Sequence, residues 1–106
     1  MPISPQTITT AAVQAFVGDK YVQVLGFKNG AAAGSVEIIY LKDMGNDKTE
    51  VSSTDYQVSL KVGEGLFLES STDGDACIGP WRAVSTSAGG IVLEVLALYA
   101  SLRSRL

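Results

Sequence analysis

The sequence of 106 residues contains no histidine and only one cysteine, Cys77. Without histidine, the Ser-His and Cys-His pairs that activate a nucleophile are excluded, and so are metal sites with histidine ligands. A single cysteine excludes an internal disulfide and a cysteine-rich metal site. Because Cys77 stands between Ala76 and Ile78, we expect a small buried apolar side chain rather than a reactive thiol.

Charge is also scarce. Charged residues make up 18% of the chain and the formal net charge is −3, whereas a typical soluble domain has about 25% charged residues. A protein that follows a phosphate backbone needs a basic face, so we expect no nucleic-acid partner. The low charge has two interpretations: a partner covers part of the surface, or the composition is ordinary variation among small β domains.

The sequence has no recognisable export or membrane segment. Residues 1–5, MPISP, lack the basic and apolar regions of a signal peptide. The most apolar run, residues 91–100, is too short to span a bilayer and contains Glu94. We therefore expect no membrane partner, and synthesis and folding in a cytoplasm without secretion.

Most acidic residues fall in turn-rich segments, where local backbone hydrogen bonds explain a carboxylate without any site. These residues are Asp43, Asp47, Glu50, Asp55, Asp73 and Asp75. The Asp73-Gly74-Asp75 triplet offers two carboxylates, whereas a calcium ion takes six to eight oxygen ligands. We predict no enzymatic activity, no metal and no cofactor. A small enzyme that uses loop carboxylates is the least favoured hypothesis.

Residues 56–69, YQVSLKVGEGLFLE, show the clearest periodicity in the chain. Apolar and polar side chains alternate from Tyr56 to Val62, which is typical of a strand with one buried face. Gly63-Glu64-Gly65 then provides two residues that tolerate the positive φ of a tight reversal. We predict a β-hairpin, with residues 66–68 on the return strand.

Three further segments predict strands. Residues 21–27 are apolar on both faces apart from Gln23 and predict a central strand, followed by a turn at Lys28-Asn29-Gly30. Residues 36–41 predict the next strand. Residues 91–100 favour a strand over a helix, and that strand would be central in a two-layer fold.

The remaining segments are less regular. Residues 7–17 predict a strand or a short helix, and residues 43–55 a long loop, with a short edge strand at 48–52 as a further option. Residues 76–78 begin a short strand that Gly79-Pro80 breaks, which places residues 81–85 at an edge or a bend. In the 7–17 segment, the side chains expected to point inward are Val13, Phe16 and Val17.

About seven to eight short strands with glycine and asparagine turns between them predict an all-β domain, an antiparallel sandwich or barrel. Its length is that of one domain, residues 1–106. Prolines in residues 1–6 predict an extended N-terminal arm, and residues 101–106, SLRSRL, form a C-terminal extension.

The termini are the most suggestive candidates for binding. Small domains that assemble often exchange such arms with neighbours, and arginine and leucine suit protein interfaces; the alternative is a solvated tail. Trp81 is either a core residue or an exposed platform on which a sugar stacks. The candidate interaction residues are Pro2, Ile3, Pro5, Trp81, Leu102, Arg103, Arg105 and Leu106.

Residues 60–69, LKVGEGLFLE, resemble a strand–turn–strand pattern in small β-sandwich virion proteins of tailed bacteriophages. The chain length and the histidine-free composition rich in small residues are similar too. The resemblance covers about a tenth of the chain and carries over no functional residue. It implies a capsid decoration (cement) protein, or a related head or tail accessory protein, present in many copies.

We therefore expect a non-enzymatic structural virion protein, a homo-oligomer that stabilises the head shell of a bacteriophage by binding the lattice of the major capsid protein. One alternative is a head–tail or tail accessory protein. Another is a carbohydrate or cell-surface binding module that uses Trp81.

Overall fold

The structure is a computed structural model that describes residues 3–45 and 47–99. Two four-stranded antiparallel sheets pack face to face. In chain order the elements are β1 (Ile3–Ile8), β2 (Val13–Phe16), β3 (Val22–Asn29), β4 (Ile39–Asp43), β5 (Val58–Leu60), β6 (Gly65–Glu69), α1 (Ser70–Asp73), α2 (Asp75–Ile78), β7 (Trp81–Ser85) and β8 (Ile91–Tyr99). The first sheet has the order β1-β8-β3-β6 and the second the order β2-β7-β4-β5. The predicted all-β sandwich is confirmed.

The long strands β3 and β8 lie side by side in the middle of the first sheet. Leu25 and Phe27 of β3 point into the core, in register with Ala97 and Val95 of β8. The residues between them face outward, because side chains alternate along a strand. Both faces of these strands carry apolar residues, as the sequence predicted for a central strand at 21–27 and a strand at 91–100.

The core is formed by apolar side chains from both sheets and from α2. Its buried members are Ile8, Ala15, Phe16, Val22, Leu25, Phe27, Ile39, Leu41, Leu60, Leu68, Cys77, Trp81, Ala83, Leu93, Val95 and Ala97. Burying each of the larger ones stabilises the fold by about 1.5–3 kcal/mol. Cys77 is fully buried, as predicted, and its Sγ lies 3.6 Å from the carbonyl oxygen of Leu68.

The predicted hairpin at 56–69 is wrong. Strand β5 pairs with β4 in the second sheet, whereas β6 pairs with β3 in the first. The link between them, residues 61–64, therefore crosses from one sheet to the other. The end of β3 holds this link, because Gly63 N donates to Asn29 O and Asn29 N donates to Glu64 O, both at 3.0 Å.

Strand β7 is also placed differently from the prediction. Residues 81–85 were expected at an edge or a bend, but β7 lies between β2 and β4 inside the second sheet. Pro80 precedes the first residue of β7, so its missing N–H removes no hydrogen bond from the ladder. Residues 76–78 form part of helix α2 instead of a strand.

Four smaller features differ from the sequence-based expectations as well. The strand predicted at 36–41 begins only at Ile39, and no strand forms at 48–52. Residues 7–17 divide between the end of β1 and β2, with Phe16 buried but Val17 exposed. The turn predicted at Lys28-Asn29-Gly30 starts later, since Lys28 and Asn29 still belong to β3.

Residues 3–6 belong to a sheet rather than to a free arm. Strand β1 is the edge of the first sheet and pairs along its whole length with β8, from Ile3 opposite Leu96 to Ile8 opposite Ile91. An edge strand tolerates Pro5 because it needs hydrogen-bond donors on one side only. The predicted arm residues 1–2 and the extension 101–106 lie outside the described residues.

Candidate interaction site at one end of the sandwich

Three of the six turn carboxylates, those of Asp43, Asp47 and Asp73, accept hydrogen bonds from nearby backbone N–H groups, as the sequence predicted. Asp43 Oδ1 accepts from Gly45 N and Asp47 Oδ1 from Thr49 N, both at 2.9 Å, and Asp73 Oδ2 accepts from Glu69 N at 2.8 Å. Within residues 3–45 and 47–99, no group of three or more metal-ligating side chains comes together. The acidic residues therefore serve the fold of the loops.

Trp81 is a core residue. Its side chain is 3% exposed, and its Nε1 donates to the carbonyl oxygen of Ala76 at 2.8 Å. The centre of its ring lies 5.5 Å from the centre of the Phe27 ring. A sugar needs an open ring face on which to stack. The interpretation of Trp81 as an exposed stacking platform is therefore wrong, and the alternative core interpretation is confirmed.

A loop of the chain covers part of the outer face of the second sheet, and Lys42 anchors it. Lys42 points outward from β4, yet its side chain is only 3% exposed. Its Nζ lies 3.0 Å from Asp47 Oδ2, 2.9 Å from Asp55 Oδ2 and 2.7 Å from Thr49 O. Burial disfavours the charged amine, but hydrogen bonds and charge from Asp55 and Asp47 outweigh this and raise the pKa of Lys42.

Arg82 anchors the same loop from the neighbouring strand. Its Nη2 and Nε donate to Glu50 Oε2 and Oε1 at 2.7 and 3.0 Å, a bidentate pair that lowers the pKa of Glu50. Next to Glu50, Val51 is buried. Residues 47–55 thus cover the part of the outer face around Lys42 and Arg82, and a cleft of about 600 Å³ remains open beside them, lined among others by Tyr40 and Val84.

The outer face of the first sheet is more open. Phe67 of β6 has 65% of its surface exposed, and Val92 of β8 is exposed too. On the same face of β8, Leu96 lies in the row of Phe67 and Leu98 in the next row, and both are partly buried. This apolar face contrasts with the partly covered face of the second sheet.

One end of the sandwich combines exposed apolar residues with both ends of the described chain. Strand β1 begins there, and β8 ends there, with Tyr99 opposite Val22. Val17 is 70% exposed, and Tyr21 and Tyr99 are also exposed. We call this region, defined by Val17, Tyr21 and Tyr99, the terminal end.

A cleft opens at the terminal end between the two sheets. Its volume is about 240 Å³, and its lining residues are Ser4, Gln6, Gln14, Ala15, Phe16, Val17, Val95, Ala97 and Tyr99. Gln6 bridges the sheets there, since its Nε2 donates to the carbonyl oxygen of Ala15 at 2.9 Å. The terminal end thus offers both protruding side chains and a recess.

The predicted interaction residues divide into three groups. Ile3 and Pro5 are in β1, with Pro5 exposed, while Trp81 is buried in the core. The others lie outside the described residues: Pro2, Leu102, Arg103, Arg105 and Leu106. Because Pro2 directly precedes Ile3 and residues 100–106 directly follow Tyr99, the sequence connects them to the terminal end.

Sequence reasoning missed Val17, Tyr21 and Tyr99. Val17 and Tyr21 lie on either side of the turn signal Gly18-Asp19, and large apolar residues beside a turn are often exposed, so the sequence contains a signal for these two residues. The sequence contains no such signal for Tyr99, because its proximity to them depends on the pairing of β3 with β8.

Comparison of the chain with protein-family models, with curated proteins and with solved structures finds no match. Neither α1 nor α2, the helices of the described residues, has the length and apolar character needed to cross a membrane.

Proposed function

We propose that this chain is a non-enzymatic structural protein of a bacteriophage virion, a decoration protein that stabilises the head shell by docking on the lattice of the major capsid protein. The observation that carries the proposal is the terminal end. Three large apolar or aromatic side chains, Val17, Tyr21 and Tyr99, are exposed there, and two of them, Val17 and Tyr99, line the cleft. Residues 1–2 and 100–106 continue the chain from this end.

The chemistry of the terminal end suits a protein partner. Tyrosine is enriched in protein interfaces because it combines a large apolar ring with a polar hydroxyl. Lys20 adds a charge at the rim, with its Nζ 5.3 Å from the centre of the Tyr21 ring. A rigid sandwich presents these groups at little cost in conformational entropy.

The virion setting rests on the sequence resemblance at residues 60–69. In the structure these residues comprise the end of β5, the crossing link 61–64 and β6, rather than a hairpin. Two observations support a structural role. The acidic side chains are engaged in turns and in the loop that covers the second sheet, and the outer face of the first sheet is apolar.

The test is co-sedimentation with capsids assembled from the major capsid protein of the same source. Val17→Asp places a charge at the terminal end, and Val36→Asp is the matched control. Val36 is 87% exposed and precedes β4 at the opposite end of the sandwich. We expect the Val17 variant to bind at least about tenfold more weakly and the Val36 variant to bind like the parent.

Two outcomes would count against the proposal. If the parent protein does not bind capsids at micromolar concentration, the capsid assignment is wrong, and binding to tail particles instead would favour the accessory-protein alternative. If both aspartate variants bind equally well, docking does not use the terminal end.

A further inference from the structure

The outer face of the first sheet has an ordered arrangement of side chains on its two central strands. In β3 the outward residues are Val24, Gly26 and Lys28, and in β8 their register partners are Leu98, Leu96 and Glu94. Each register pair forms one row across the strands. Two rows are apolar and the third joins a cation to an anion.

The ring of Phe67 lies across Gly26, and a hollow remains in the face beside this ring. A Cβ at Gly26 would lie 2.6 Å from Cε1 of Phe67, so only glycine lets the Phe67 ring lie against the sheet. The hollow has a volume of about 160 Å³ and is bounded by Phe67, Leu96, Lys28 and Glu94. Its apolar floor and walls are large enough to accept an aliphatic side chain.

The charged row is not neutralised by a close ion pair within the chain. Lys28 and Glu94 are register neighbours, but the ion pairs found in residues 3–45 and 47–99 involve Lys42 and Arg82. A partner that places an anion over Lys28 and a cation over Glu94 would therefore gain electrostatic energy. It would also need an apolar side chain to place over Gly26.

This same face meets all three requirements. We propose that two copies of this chain pair through the outer faces of their first sheets, about a two-fold axis that runs along the strands between β3 and β8. Such an axis exchanges the two strands, so each residue lies opposite its own register partner in the second copy. Lys28 then faces the Glu94 of the other copy, and Leu96 faces the hollow at Gly26, each contact occurring twice.

The size of the face indicates which class of interface the dimer would have. Four strands about 4.8 Å apart, with about 27 Å for the eight residues of β3, give a face of about 500 Å². Two such faces bury about 1,000 Å², which is below the range of about 1,200–2,000 Å² for stable interfaces and is typical of weak, transient ones. We therefore expect a reversible dimer with a dissociation constant in the micromolar range.

This inference rests on the proposed structural function, because it names the self-association partner of an assembly protein, but it uses a different surface from the terminal end. The two proposals therefore fail separately. Loss of capsid binding in the Val17 variant does not bear on the dimer, and dimerisation is measured without capsids.

The test is a charge exchange between two variants, followed by sedimentation equilibrium over a concentration series. The parent should change from a mass of 11.1 kDa to twice that value as concentration rises. Lys28→Glu and Glu94→Lys each place like charges opposite each other across the interface. We expect the dissociation constant of the dimer to rise at least roughly tenfold for either variant alone. Lys61→Glu, the same charge change in the crossing link, should dimerise like the parent.

An equimolar mixture of the two variants should recover the dimer. In the mixed dimer the introduced glutamate faces the introduced lysine, while the native Lys28 of one chain faces the native Glu94 of the other. Recovery also shows that both variants are folded. A parent that stays monomeric, single variants that dimerise like the parent, or a mixture of folded variants without recovery would each overturn the proposal.

A second measurement uses the parent alone and needs no variant to fold. Carbodiimide joins a lysine directly to a carboxylate in contact with it. In a mixture of ¹⁴N- and ¹⁵N-labelled copies, we expect a cross-linked peptide that joins Lys28 of one label to Glu94 of the other. If this cross-link forms only within a single label, the two faces do not meet in the proposed register.

Discussion

Replacing Asn29 with aspartate should remove a tether between the two sheets. Asn29 ends β3 in the first sheet and is fully buried. Its Nδ2 donates to the carbonyl oxygens of Leu60 at 2.9 Å and Glu37 at 3.2 Å, and its Oδ1 accepts from Ala31 N at 3.0 Å. Leu60 belongs to β5 in the second sheet, so this one amide joins a central strand of the first sheet to an edge strand of the second.

The structure allows an estimate of the loss. Aspartate has nearly the same size as asparagine, so the exchange creates no cavity. The introduced carboxylate keeps the acceptor for Ala31 N, and in its ionised form it removes both hydrogen bonds donated by Nδ2 and adds a buried charge without a partner, which makes the loss larger than the hydrogen bonds alone predict. It also places an oxygen against the oxygens of Leu60 and Glu37. Two lost hydrogen bonds and a buried carbonyl group without a donor predict a loss of about 2–4 kcal/mol in the free energy of unfolding.

The assay is urea unfolding followed by the fluorescence of Trp81, the only tryptophan, which moves from the core to water. With an m-value of about 2 kcal/mol per molar urea, a loss of about 3 kcal/mol lowers the midpoint by about 1.5 M. Gln23→Ala, at an exposed position of the same strand, is the control and should change stability by less than about 0.5 kcal/mol. An Asn29→Asp variant as stable as this control would refute the tether.

Two further predictions concern titratable groups. The Thr49 N–H and then Lys42 lower the pKa of Asp47 to about 2. A carboxylate with a lowered pKa stabilises the fold above its unfolded pKa, and this contribution disappears as pH falls. The NMR shift of the Thr49 amide should therefore titrate near pH 2, and a midpoint near pH 4 would contradict the proposed anchoring. Burial, and then the charge of Asp73, raises the pKa of the Cys77 thiol. A thiol reagent at mildly alkaline pH should thus label Cys77 only in urea, and rapid labelling of the folded protein would show that the core opens there.

The sequence predicted correctly those strands whose pattern of apolar residues is sufficient to identify a strand. Residues 21–27 and 91–100 are apolar on both faces, and this pattern is typical of central strands wherever they occur. Residues 56–62 alternate, and β5 does form within them. What local pattern cannot specify is the partner of a strand, because Gly63-Glu64-Gly65 permits both a hairpin and a crossing between sheets.

The residue that favours the crossing is far away in the sequence. Asn29 holds residues 63 and 64 by its backbone and Leu60 by its side chain. In the sequence it looked like the first residue of an Asn-Gly turn. A buried amide and a turn amide have the same local signature, so only the tertiary structure distinguishes them.

The candidate site was predictable in part. Residues 1–6 were singled out, and β1 does begin at the terminal end, but its exposed apolar side chains Val17, Tyr21 and Tyr99 depend on strand pairing. The sequence around Lys42 does contain a signal for its burial. A lysine in an apolar strand, followed by the acidic segment 43–55, is consistent with a buried cation under a loop that neutralises it.

The order of the strands also governs how the chain folds as it is synthesised. Strand β8 lies between β1 and β3, so until β8 leaves the ribosome β1 has no partner and β3 pairs with β6 alone. The nascent chain thus carries unpaired strand edges, which are templates for aggregation. Any product that stops before β8 lacks the central strand of its first sheet. We expect such truncated chains to accumulate as insoluble material, while the chain that includes β8 folds on the millisecond-to-second scale typical of non-local β pairing.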